Sequence, residues 1–195
     1  KIDIGLLNRI IIDDVLLDDQ SGKEMLKITR LSAKFDIIPL FNGKITISSV
    51  QLFGFNINLN KPAPHMEPNF KFVLDAFASK DTVKTKKDID LRINSILIRR
   101  GKLSYDVLSE EETPGKFNPQ HIKLHNIIAN ISLKALQNDS VNAAIKRLSV
   151  DEQSGFELRK LSLKVIANNK GMKIENFAIE MPGTEMKMDT IRMEY

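Results

Sequence analysis

The sequence predicts an all-β chain with one short helix, built as a long, curved, mostly antiparallel sheet that forms an open groove. Three observations lead there. An eight-residue phrase (apolar, any, apolar, two polar, apolar, any, apolar) recurs nine times, as in Leu91-Arg92-Ile93-Asn94-Ser95-Ile96-Leu97-Ile98. Residues that favour turns separate most of the phrases. Only the stretch from Phe70 to Ser79 has helical spacing.

The other phrases are Ile10-Ile12 with Val15-Leu17, Leu26-Ile28 with Leu31-Ala33, Ile45-Ile47 with Val50-Leu52, and Ile122-Leu124 with Ile127-Ala129. Four more follow: Ala143-Ile145 with Leu148-Val150, Phe156-Leu158 with Leu161-Leu163, Met172-Ile174 with Phe177-Ile179, and Met186-Met188 with Ile191-Met193. On a helix, at about 100° per residue, this spacing scatters the apolar side chains around the axis and buries nothing coherently. In a strand each half alternates properly, but the two-residue spacer throws the second half onto the opposite face. A bulge at the spacer restores the phase. Two-residue hairpin loops favour glycine, and none of the polar pairs contains one. Each pair is therefore placed in mid-strand.

From Lys1 to Leu17 the chain reads as one or two strands ending in the turn Asp18-Asp19-Gln20-Ser21-Gly22, which lacks the alternating ligands and distant glutamate of a calcium loop. Leu26 to Phe35 is a strand. Pro39 to Gly43 is a turn, and Lys44 to Asn60 a long strand. Phase shifts at Ser48-Ser49 and between Leu52 and Phe53 leave Phe53, Phe55, Ile57 and Leu59 on one face. Three prolines between Lys61 and Pro68 make a loop. Asn69 is the candidate N-cap of a helix over about 69–79, in which Phe70, Val73, Leu74 and Phe77 share a face. A charged connector over 80–88 leads to a strand ending at Ile98, a turn around Arg100-Gly101, the strand Lys102 to Leu108, and an acidic loop from Ser109 to Gln120. Further turns fall at Gln137-Asn138-Asp139, Gln153-Ser154-Gly155, Asn168 to Gly171, and Pro182-Gly183. Gln153-Ser154-Gly155 echoes Gln20-Ser21-Gly22.

Composition narrows the function classes. The 195 residues are 42% apolar and 28% charged, ordinary for a folded domain, and no apolar run is long enough to cross a membrane. There is no cysteine, so disulfides and thiolate chemistry are excluded. The net charge of +4 arises from 29 basic and 25 acidic residues mixed along the chain, which describes a solvated surface and no nucleic-acid site. The chain starts at Lys1 and ends inside a phrase. It is expected to be a single elongated segment, 1–195, of a longer chain, with any anchor outside it.

Candidate chemistry is sparse. His121 and His125 are four apart, but in a strand context with no third ligand. The pairs Asp13-Asp14 and Asp18-Asp19 sit at a spacer and a turn without a nucleophilic partner. Lys84, Lys86 and Lys87, like Arg99, Arg100 and Lys102, read as solvated clusters. No enzyme, metal site or cofactor is expected.

The apolar surface is more telling. Strands of about ten residues make a sheet roughly 30 by 40 Å, while a helix of this length covers about 15 by 10 Å. A closed β-sandwich or barrel would hide the remaining face, as would pairing with another copy. The third arrangement is an open trough holding an apolar ligand, and repeated mid-strand bulges favour it because each bends its strand. Its lining is expected from Ile45, Ile47, Phe55, Ile57, Ile93, Ile96, Ile98, Ile127, Ile131, Leu148, Leu161, Leu163, Phe177 and Ile179, with Phe70, Val73, Leu74 and Phe77 closing one end. Self-association through the first and last strands is expected as well.

The run Leu31 to Leu40 followed by Gly43 to Gly54 resembles the N-terminal part of AsmA-like proteins, and more closely the TamB branch of Bacteroides-type bacteria. The segments Asn69 to Phe77, Leu91 to Gly101 and Thr113 to Pro119 fit the same resemblance, whose motifs are structural. It implies a periplasmic β-groove, anchored in the inner membrane by a segment outside this chain, that handles phospholipid acyl chains between the membranes. It also implies a role in outer-membrane biogenesis, with a barrel-assembly partner met through regions outside this chain.

Overall fold

In the computed structural model, residues 2–5, 8–36, 46–78, 92–137 and 140–194 are described. The strands are β1 (Ile2–Gly5), β2 (Arg9–Asp18), β3 (Glu24–Phe35), β4 (Thr46–Lys61), β5 (Arg92–Val107), β6 (His121–Gln137), β7 (Ser140–Glu152), β8 (Glu157–Asn168), β9 (Gly171–Met181) and β10 (Thr184–Glu194). One helix, α1 (Lys71–Ala78), lies between β4 and β5.

All ten strands form one sheet in the order of the chain. Its margins are β1 and β10, so the sheet is open and curved, and is neither a barrel nor a sandwich. Among the described residues each strand contacts only its sheet neighbours, and α1 packs along none of them. Neighbours pair antiparallel except β4 and β5, which run parallel. Parallel neighbours need a crossover of about a dozen residues or more, usually with a helix, and the α1-bearing connection supplies it. Antiparallel pairing thus describes every step but this one.

Every strand from β2 to β10 carries one phrase, and the polar pairs fall inside the strands. The phase is corrected there in two ways. Asp14 (φ 56°), Asn126 (φ 54°) and Asn176 (φ 53°), each the second member of its pair, are left-handed. Asparagine and aspartate tolerate this conformation better than other non-glycine residues. At several other pairs the ladder slips. Shifts fall beside Ser48-Ser49, across Asn94-Ser95 and across Lys146-Arg147.

Two expectations are corrected. The chain does not turn at Arg100-Gly101, because β5 runs straight through it with Arg100 as a left-handed kink (φ 56°). In β4 the second phase change falls at Gly54 (φ 64°) and not before Phe53. Phe53 therefore pairs with Arg30 and Arg99 on the face opposite Phe55. Gly54 serves this kink because a Cβ there would lie 2.7 Å from the Thr29 hydroxyl, which donates a hydrogen bond to the Gly54 carbonyl at 3.1 Å.

The hairpins β2–β3 and β7–β8 close with the same loop. The Asp19 and Glu152 amides each donate to the carbonyl of the residue four on (2.8 Å in both), and the Gly22 and Gly155 amides donate to the Asp19 and Glu152 carbonyls at 2.9 Å. Both glycines have positive φ. The echo in sequence is an echo in structure.

Candidate functional site

The register assembles the phrases into rows that cross the sheet. One row runs from β2 to β10 as Ile12, Leu31, Leu52, Ile98, Ala129, Leu148, Leu161, Ile179 and Met186, every member apolar. At about 4.8 Å per strand it is about 38 Å long. On one side of it lies the row Ile10, Ala33, Val50, Ile96, Ile131, Ile145 and Leu163, with Phe177 and Met188 paired beyond. Next comes the row Phe35, Ile47, Ile93, Leu133, Ala143, Val165, Ile174 and Ile191. On the other side of the central row stand Val15, Ile28 and Phe55, then Leu17, Leu26, Ile57, Leu103 and Leu124.

Of the residues expected to line a trough, Ile45 lies outside the described residues. Twelve of the others take places in these rows, and Ile127 pairs with Gly101. Phe55, Gly101 and Ile127 form the tightest point, since a Cβ on Gly101 would stand 2.3 Å from the Phe55 ring and 2.9 Å from the Ile127 Cβ. The missing side chain is what lets the ring lie over the strand. Sequence reading placed Gly101 in a turn and so missed it.

Few of these side chains are covered. Among the described residues the buried apolar ones are Met25, Ile28, Phe55, Val107, Ala129 and Leu158, and no large side chain is sealed off completely. Most row members are half-buried. Toward β10, Met186, Met188 and Met193 are 40–50% exposed.

The helix occupies one end of the sheet. Asn69 does not cap it. Its carboxamide accepts from the Asn60 amide (3.0 Å) and donates to the Asn58 carbonyl (3.1 Å) and to Asp19 (3.3 Å), tying the helix entry to β4 and the β2–β3 turn. Phe70 and Val73 are half-buried, Leu74 is exposed, and the Phe77 side chain lies outside the described residues. A hollow of about 460 Å³ separates the helix from the Asp19 turn.

Charges at this end are locked into turns. The Ser21 hydroxyl (2.6 Å) and the Lys23 and Ser21 amides hold the Asp19 carboxyl down at about 2. Burial pushes the Glu152 carboxyl up, but the Ser154 hydroxyl and amide outweigh it and the net shift is downward. His121 directs Nδ1 at Asp106 (2.9 Å) and Nε2 at the Glu110 carbonyl (3.0 Å). The Asp106 carboxylate raises its pKa. Asp106, Glu112 and His121 come together as a metal could require. Both ring nitrogens, however, already face acceptors, so an imidazolium suits them and no lone pair is left to coordinate. His125 lies four residues along the strand, about 13 Å away, and meets Asp151 instead.

The opposite face is polar and ion-paired. Lys160 meets Glu180, Lys164 and Lys173 meet Glu175, and Arg30 meets Asp13 at 2.6 Å. The two lysines, Lys164 foremost, hold the Glu175 carboxyl at about 2. No helix among the described residues is long and apolar enough to cross a membrane. No protein-family model and no curated protein matches the chain.

Proposed function

We propose that the chain is a non-enzymatic lipid-handling groove whose apolar face shelters acyl chains while polar head groups stay in water. The single observation that carries this reading is the unbroken apolar row from Ile12 to Met186, with parallel rows beside it, on one face of a single open sheet. Each methylene removed from water contributes about 0.8 kcal/mol, so partial shelter suffices to hold a chain. A lining without polar interruptions gives it no fixed stopping point. The likeness to AsmA-like and TamB segments supports the same reading and adds its setting: a periplasmic groove, anchored to the inner membrane, serving phospholipid transport and outer-membrane biogenesis.

A second reading rests on β10. Among the described residues its outer edge is unpaired, and its exposed methionines extend the apolar face to the margin. A strand from a client protein or from a second copy would continue the sheet there, as a scaffold for outer-membrane protein assembly requires.

Mass spectrometry of organic extracts separates the two. Wild-type protein incubated with phosphatidylethanolamine–phosphatidylglycerol vesicles is expected to retain phospholipid, whereas Ile96→Asp and Ile127→Asp, folded by circular dichroism, lose it. Folded wild type that retains none sinks the groove and leaves the edge scaffold.

A further inference from the structure

We infer that the polar face across β3–β7 carries a docking patch for an acidic peptide segment of a partner protein, one that presents an apolar side chain between its carboxylates. Three apolar residues break the polarity of this face at its centre: Phe53 at 38% exposure, Ile128 at 39%, and the half-buried Leu97. Phe53 stands between Arg30 and Arg99 in one row, and the Arg100 guanidinium lies 5.1 Å from its ring centroid. The next row runs from Gln51 through Leu97 and Asn130 to Arg147. Between the rows Gln51, Phe53, Leu97 and Arg99 border a hollow of about 170 Å³.

Charge selects the occupant. Arg30 is held by Asp13, but Arg99, Arg100 and Arg147 are exposed and, among the described residues, none has a carboxylate in ion-pairing reach. The same face across β8–β10 is arranged differently, with Lys160, Lys164, Lys173 and Lys187 each paired to a glutamate. Arginines without partners around an aromatic ring are the composition of protein-binding hot spots. The planar guanidinium also takes a carboxylate through two parallel hydrogen bonds. This face is opposite the apolar rows, so the patch stands whether or not the groove holds lipid.

The test is fluorescence anisotropy with a labelled, glutamate-rich peptide carrying a central Phe-Leu pair, using the full chain at low and at physiological salt. Saturable binding that weakens with salt is expected, with NMR shifts centred on Phe53, Leu97 and Ile128. The charge reversals Arg99→Glu and Arg147→Glu together should weaken it by about tenfold or more. Phe53→Ser should weaken it too, while Lys187→Glu on the ion-paired part should leave it unchanged. Circular dichroism checks each fold, and Arg147→Gln stands in if the double reversal unfolds. Absence of saturable binding overturns the proposal. So do an equal loss in Lys187→Glu, equal binding of a glutamate peptide without the Phe-Leu pair, and stronger binding to anionic vesicles or to single-stranded DNA.

Discussion

The two faces of this sheet share one backbone, yet among the described residues it is the polar face whose charged side chains pair with one another. On the polar side the charged residues of β8 and β9 meet across the strands, and Glu175 alone engages two lysines. On the apolar side the rows lie side by side across the whole sheet. The difference shows what holds the fold together and what does not. Main-chain ladders and neighbour packing within rows build the sheet, and the apolar surface left over is more than the fold needs. The separation of faces depends on the kinks. Without the left-handed residues Asp14, Gly54, Arg100, Asn126 and Asn176, the strands β2, β4, β5, β6 and β9 would switch sides halfway and both faces would be mixed.

The strongest way to break the contrast is to fill the place under Phe55, which is 6% exposed. In Gly101→Val the new Cβ meets the far edge of the buried Phe55 ring at 2.3 Å and the Ile127 Cβ at 2.9 Å, so the ring must shift. Overpacking at this level is expected to cost about 3 kcal/mol or more, read as a lower urea midpoint. Phe55→Ala should cost a similar amount by leaving a void. Because the two groups share one space, adding Phe55→Leu to Gly101→Ala should recover part of the loss of Gly101→Ala alone. A stable Gly101→Val would mean that the ring does not lie where the rows place it.

A smaller effect is expected at the kinks themselves. Asn176→Val puts a β-branched residue at φ 53°, which costs about 1–2 kcal/mol, whereas Asn176→Gly should be close to neutral. Equal urea midpoints for the two variants would show that the positive φ is not what joins the halves of β9.

These kinks also explain how much of the molecule could be read from the sequence. The phrase located every strand from β2 to β10, because alternation and its interruption are both local. Asp14, Asn126 and Asn176 could be suspected because their side chains suit a left-handed backbone. Arg100 could not, since arginine gives no such signal and Arg-Gly looks like a turn. What keeps β5 going is the Phe55 ring over Gly101, a contact from another strand. The parallel β4–β5 step was hidden for a related reason: the connection through α1 is long enough for either direction, and strand direction leaves no trace in alternation. Asn69 misled because its side chain could serve the helix or the strand beside it, and Asn60, Asn58 and Asp19 claim it. The rows themselves emerge only from register, which no single strand specifies.

The gentlest probe is pH, which should act on the charged groups and leave the apolar rows alone. The Asp19 and Glu175 carboxyls are both held at about 2, so each contributes stability that is complete above its ordinary carboxyl pKa and is lost as the pH falls toward about 2. His121 works in the opposite direction. Its pKa is raised, so its contribution is complete below the ordinary histidine value of about 6.5 and fades as the pH rises through the raised one. Once neutral, the ring can donate to only one of Asp106 and the Glu110 carbonyl, and the β5–β6 loop loses a tie. Amide exchange, corrected for its intrinsic pH dependence, should therefore show the Ser21 and Lys23 amides loosening in acid and the β5–β6 loop loosening in alkali, with protection of Ile98 and Ile131 steady between. His121→Gln should remove the alkaline limb and keep the acid one. An alkaline limb that persists in His121→Gln would assign the loop's tie to another group, and loss of protection along the rows in step with the turns would show that the two faces are not separately held.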